Sequence, residues 1–382
     1  MSASKWMSSS RISRAFVPAA CAALTLAVAF AQGTPAPVVM PDRVGVEGNK
    51  VDVTVINEDD EAGKFVYRTD HFEFTSEGKL TQTLLRDVAR NFEATYELVK
   101  ALPWEINPKP EDGERFRALL VRSRSRYEEL GAPKNTGGVY FHDKQLFVIP
   151  FESLGIRPMG NSYTKNSDYT SDTLVHELTH QMMHSWLPIL PQWVVEGTAE
   201  YTNSLPLKLG TFRLASSKSG LKDAIETLQR RGGVPDPYPL EELFWMDNKK
   251  WNTILARDPA QGRRLYFTSF LLVYFFVHLD KPGDGSPFVH YLREVGKQKT
   301  AVESYIAEVS KFRKLPGVEE LPDGRFRYPS TLQPPTPPAI LVSPETRDAF
   351  EKSSLSILLN GRSNAQLMDD VRTAYRRLGI RL

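Results

Sequence analysis

The sequence predicts an α+β protein: a small mixed sheet with an edge strand beside one particular helix, followed by a mainly helical C-terminal part. Segments with strand-like alternation crowd into the first 150 residues. Helical spacing dominates afterwards, and the apolar run "LYFTSFLLVYFFVHL" is too short to cross a bilayer, so it reads as a buried helix backing the core.

Taken in order, residues 32–49 look like a Pro/Gly-rich leader. "KVDVTVI" and "KFVYRTDHFEFTS" alternate as strands and should form a hairpin across the acidic turn "NEDDEAG". "LTQTLLRDVARNFEATYELVKAL" repeats apolar residues at helical spacing. "RFRALLVRS" returns to strand, "RYEELGA" reads as a short helix, and "GGVYFHDKQLFVIPF" gives two strand-like pieces joined near His142. After the polar loop "GNSYTKNSDYT", a helix carries "HELTH", with Ser171 or Asp172 as N-cap and Pro188 at its end. A second helix starts near Pro191 and carries "QWVVEGTAEY". "LKDAIETLQRR" and "PLEELFW" are helical, and "AQLMDDVRTAYRRLGI" closes the chain as one amphipathic helix.

These shifts divide the chain into residues 1–31, a leader with the first strand (32–63), a main domain (64–310), a Pro-rich arm (311–346) and a helical tail (347–382). The arm carries eight prolines between Pro316 and Pro344, a density that suits extended chain rather than packed elements. The first segment has basic residues, then "AFVPAACAALTLAVAFA", closing on Ala29-Phe30-Ala31. That is the pattern of a signal peptide cleaved before Gln32, which implies export to the periplasm or medium with no stable membrane insertion afterwards.

Composition excludes several classes. Forty-eight basic residues balance 46 acidic ones and are scattered, which argues against a nucleic-acid partner. The single cysteine, Cys21, lies within the apolar run, with Pro18 where a lipidation signal would need a larger aliphatic residue. The mature chain would then lack both disulfides and thiolate ligands, so a zinc site must use His, Asp and Glu.

"HELTH" supplies such ligands. Histidines at i and i+4 share a helix face about 6 Å apart, so His176 and His180 can converge on one ion. Glu177 lies about 100° around the helix, placed to take a proton from water rather than to bind the ion. A catalytic zinc takes three protein ligands. On a continuous helix His184 would sit about 12 Å along the axis from His176, too far to share the ion. Glu196 and Glu200 remain, on one face of the next helix. Gly197 leaves little bulk beside Glu196, which makes Glu196 the third ligand and Glu200 a partner for a ligand imidazole N–H.

"HELTH" followed by "WVVEGTAEY" resembles the gluzincins, zinc metallopeptidases with HExxH and a downstream glutamate before a glycine. The resemblance implies a zincin-like fold, Zn2+ on His176, His180 and Glu196, Glu177 as general base and Glu200 behind the ligands. It extends more weakly over residues 64–295, where it is similar to secreted bacterial members, and is highly specific only over 173–201. Met183 and Trp186 stand where the metzincin pattern needs Gly and His, and no G-x-M-E-N element occurs, so recognition of a free N-terminus is unsupported. The strand "GGVYFHDKQLFVIP" is the candidate for holding extended substrate. Tyr266 is the candidate oxyanion donor, with Tyr140, Tyr201 and His278 as rivals.

Together these features lead us to expect an exported zinc peptidase acting on peptide or protein substrate. Two alternatives differ in class: a binding or surface-attachment domain keeping zinc as a brace, with His142 or an Asp of "NSDYTSD" as fourth ligand, and a zinc hydrolase of a non-peptide ester or amide.

Overall fold

The computed structural model describes residues 38–47, 50–110, 113–134, 136–160, 162–166, 173–230, 232–321 and 326–382. The segment 1–31 and its cleavage point lie outside them. Among the described residues no helix is long and apolar enough to cross a membrane.

Alternating apolar residues build a six-stranded mixed sheet. After β1 (Arg43–Gly45), β2 (Thr54–Asp59) and β3 (Lys64–Arg68) form the expected hairpin. The stretch read as one second strand breaks at residues 69–71 into β3 and β4 (Phe72–Ser76), which pair antiparallel. The break is held by Thr69, whose main-chain N–H donates to the Phe72 carbonyl while its hydroxyl accepts from the Phe72 N–H. α1 (Gln82–Ala101), capped by the Thr81 side chain, crosses to β5 (Phe116–Val121), parallel to β4. α2 (Arg124–Glu129) leads to β6 (Val139–Phe141) and β7 (Leu146–Pro150). The spatial order is β2-β3-β4-β5-β7-β6, with β7 parallel to β5 and β6 antiparallel to β7, so β6 is an edge.

Part of the stretch read as a polar loop is strand: β9 (Ser162–Lys165) pairs antiparallel with β8 (Ile156–Met159). α3 (Leu174–Met182) and α4 (Gln192–Ser204) follow. β10 (Leu207–Lys208) and β11 (Thr211–Arg213) then form a three-stranded sheet with β1. The described end of the leader is folded in: Val44 pairs with Phe212, and the strands approach so closely that a Cβ on Gly45 would clash with the Gly210 carbonyl.

The rest is helical: α5 (Ser217–Arg230), α6 (Leu240–Leu243), α7 (Asn248–Arg257), α8 (Pro259–His278) and α9 (Ser286–Phe312). α8 carries the apolar run and is buried from Phe267 to Val277, as its composition requires. α7 and the long α9 have no counterpart among the sequence expectations. Among the described residues of the Pro-rich arm lie the end of α9, the two-residue strands β12 (Glu319–Glu320) and β13 (Phe326–Arg327), the single turn α10 (Ala339–Val342) and the first residues of the next helix.

The expected closing helix is α12 (Asn364–Arg377), and it is preceded by α11 (Pro344–Leu359), which has no counterpart among the sequence expectations. Asn360 turns left-handed between them at φ 47°. α11 packs on α9 and α12 on α8. The Tyr375 hydroxyl donates to the Leu271 carbonyl at 2.8 Å, and Arg362 grips Asp280 through two bonds of 2.9 and 2.7 Å.

Both charges of that pair are mostly buried, so removing the guanidinium strands a carboxylate. Arg362→Met is expected to destabilise the fold by about 3 kcal/mol, read as a lower urea midpoint with unchanged slope.

Candidate metal centre

α3 is fixed before any metal is considered. The Gln181 amide donates to the Arg117 carbonyl on β5 at 3.0 Å, tying the helix to the sheet. Thr179, inside "HELTH", meets the Thr202 hydroxyl of α4 at 2.7 Å and also donates to the Val175 carbonyl. Leu174, Val175, Leu178 and Met182 are buried beside it. Thr173 occupies the N-cap position without a side-chain cap bond, while Ser171 and Asp172 lie outside the described residues.

The helix also ends earlier than expected, at Met182 rather than near Pro188. The chain tightens into a 3-10 turn over His184–Trp186, with the Trp186 N–H on the Met183 carbonyl, and this turn buries Met183 and Trp186. His184 therefore does not continue the helical ladder. It is buried, bonded through Nδ1 to the Tyr140 hydroxyl at 2.7 Å, and stacked on His142 at 4.2 Å. His142 accordingly sits with His184 and outside the metal-type group.

α4 presents Glu196 to α3. Its Oε2 lies 3.3 Å from His176 Nε2 and 3.4 Å from His180 Nε2, and the two nitrogens are 3.0 Å apart. Among the described residues these three form the one cluster that could hold a metal ion. The fit is geometric: in a tetrahedral site with bonds of about 2.0–2.1 Å, neighbouring donor atoms stand about 3.3–3.4 Å apart. It is also chemical, because Glu196 Oε2 is buried with no hydrogen-bond partner. A buried carboxylate oxygen within 3.4 Å of two imidazole nitrogens, with no well-formed hydrogen bond of its own, is costly unless a proton or a cation joins them.

Around the triad, Glu200 Oε1 stands 3.3 Å from His176 Nδ1, while the Gln192 amide donates to Glu196 Oε1 at 2.8 Å. His180 Nδ1 is buried without a partner. Glu177 accepts the main-chain N–H of Tyr140, on edge strand β6, at 3.0 Å. Tyr266, on α8, places its ring 6.2 Å from that of His176 and edge-on to Trp251. The rival donors are engaged elsewhere, Tyr140 with His184, and Tyr201 with His278 at 2.9 Å.

Gly197 has a different job from the one its sequence neighbourhood suggested. It does not spare room beside the ion; it faces α8, where a Cβ would meet the Ser269 carbonyl at 2.4 Å. The glycine sets how closely α4 approaches α8. Sequence reasoning also passed over Gln192 and the Tyr140 main chain. Gln192 stands four residues before Glu196, the spacing at which helical side chains meet, whereas a main-chain donor leaves no residue-type signal.

Burial pushes His176 toward neutrality, but the Glu196 and Glu200 carboxylates outweigh it and hold the imidazolium well above its ordinary range. Burial likewise raises Glu196, yet the His180 and His176 imidazoles hold it far below the usual carboxylate range. Glu177 is raised by burial, with the two imidazoles and the Tyr140 N–H opposing. Tyr266 is pushed up by burial and by the Glu196, Glu177 and Glu200 charges, so its hydroxyl keeps its proton.

No family model, curated protein or solved structure matches this chain. The centre is thus read from its own atoms.

Because the folded pKa of His176 is raised, its proton stabilises the metal-stripped fold at low pH, and that contribution disappears as pH climbs through the raised value. A metal needs the same nitrogen unprotonated. Metal is therefore expected to raise the melting temperature little while His176 keeps its proton and increasingly as pH climbs through the raised value. Thermal melts of loaded and stripped protein from acid to alkaline pH check it, and a pH-independent gap would remove His176 from the ligand set.

Proposed function

We propose that the chain is an exported zinc-dependent peptidase of gluzincin type with a zincin-like fold. The observation that carries this is the His176–His180–Glu196 triangle with Glu177 held beside it by an edge strand. Among the described residues the group has three members, the number a catalytic zinc takes from protein; the brace reading needs a fourth, and its acidic candidates, Asp168 and Asp172, lie outside the described residues.

Zinc, when bound, supplies a Lewis acid that polarises a carbonyl and acidifies water. The chain supplies the remainder. Glu177 takes the proton from attacking water and passes it to the leaving amine, a role suited to a carboxylate whose pKa burial has raised. The Tyr140 N–H fixes one Glu177 oxygen, leaving the other to work. β6 offers its outer edge to extended substrate. Tyr266, which keeps its proton, donates to the oxygen on which charge develops. The expected cofactor is Zn2+, the expected substrate peptide or protein, and the expected setting the cell envelope or medium.

Incubation of the mature chain with a diverse peptide mixture, with and without chelator, tests the proposal; chelator-insensitive cleavage or none at all refutes it. Glu177→Gln should keep stoichiometric metal while losing cleavage by a factor on the order of 10²–10⁴. Tyr266→Phe should also keep its metal and lose roughly a hundredfold in kcat, with undiminished turnover assigning the oxyanion to another donor.

A further inference from the structure

We infer that Gln192 is a positioning residue for the third metal ligand: its side-chain amide pins Glu196 Oε1, so that Oε2 alone faces the imidazole pair. This rests on the three-residue metal group and not on the peptidase reading. The Gln192 Nε2 donates to Oε1 at 2.8 Å, whereas Oε2 stands 3.3 and 3.4 Å from the two ligand nitrogens and has no hydrogen-bond partner. The two carboxylate oxygens are thereby given different work.

The local sequence explains why Gln192 can do this. Pro191, extended at ψ 148°, forms the N-cap, and Gln192 is the first residue of α4. Residues at i and i+4 lie one turn apart on the same face, so the amide reaches Glu196 without leaving its own helix. Glu196 is buried, and the next residue is clamped against the Ser269 carbonyl of α8 through Gly197. The carboxylate's backbone is thus fixed, and the rotation that remains about its terminal bond is what the amide removes. Without that bond Oε1 could swing into the triangle and bind as a second donor, or the group could tilt away from it.

The choice of an amide also has an electrostatic reason. A lysine or arginine there would neutralise the charge that attracts the cation, and a second carboxylate would repel Glu196. A neutral donor orients the ligand and leaves its charge intact. The three donor atoms are supported unequally: His176 has Glu200 at its far nitrogen, Glu196 has Gln192, and His180 Nδ1 has no partner. Glu200 and Gln192, both on α4, thus supply the outer bonds for the centre.

The test uses the full mature chain loaded with Co2+, followed by visible absorption, and with Zn2+ in competition with a chromophoric chelator. Gln192→Met keeps the length and removes the donor; Gln192→Glu keeps the shape and turns the donor into an acceptor. Both are expected to weaken zinc by about 10–100-fold, with the metal-stripped protein still folded but melting lower, because Glu196 Oε1 loses its donor. The cobalt band should lose intensity in the Met variant as the carboxylate turns bidentate and tetrahedral character falls. Wild-type affinity and an unchanged cobalt spectrum in Gln192→Met would overturn the role. A wild-type chain that takes up neither metal would overturn the metal group and Gln192's role together.

Discussion

The structure depends on one approach: the Glu196 carboxylate set against two imidazoles on another helix. Each imidazole nitrogen is within 3.4 Å of Oε2, and the whole cluster is largely withdrawn from water. In an interior of low effective dielectric such a cluster cannot be indifferent to charge. It must hold a proton or a cation. The neighbouring architecture makes sense as the means of keeping the two helices in that register: the paired Thr179 and Thr202 hydroxyls between α3 and α4, the glycine that lets α4 close on α8, and the Gln181 amide that anchors α3 to β5.

Proton and cation compete for the same place, and the charge pattern sets the terms. Carboxylates on both sides of the His176 ring raise its proton affinity; they also supply the negative potential a divalent ion needs. The contrast with Glu177 is informative. It sits one residue from His176 on the same helix, yet it faces the edge strand rather than the triangle, and burial drives its affinity for protons up where that of Glu196 is driven down. Two neighbouring carboxylates thus differ through surroundings alone: the imidazoles hold one low, while burial raises the other.

Much of this was legible in the residues. Period-two alternation gave the β2–β3 hairpin, period 3.6 gave α1, and the i, i+4 histidines with an acid in the following helix gave the cluster's members. What escaped has a common character. The end of α3 at Met182 is imposed by tertiary burial of Met183 and Trp186, which overrides the helical spacing that runs on to His184. The β8–β9 hairpin lies in a stretch whose Gly, Asn, Ser and Thr content resembles loop, because a short two-stranded ribbon has little apolar face to reveal it. Gly197 was legible as a tight spot, but only the packing tells which neighbour requires it.

The edge strand shows how a half-buried sheet edge can be held rigidly beside the cluster. β6 is three residues long and paired on one side only, which by itself would leave it prone to fraying. Tyr140 compensates from a single position. Its main-chain N–H holds Glu177 near the start of the metal-type helix, and its hydroxyl holds His184 just beyond that helix's end. The strand is thereby fastened to the element carrying two ligands and the proposed base. Tightening one tightens the other, since a shift of β6 away from α3 would have to break both bonds. The edge strand is thus kept in register with the charged cluster by the side chain and backbone of one tyrosine.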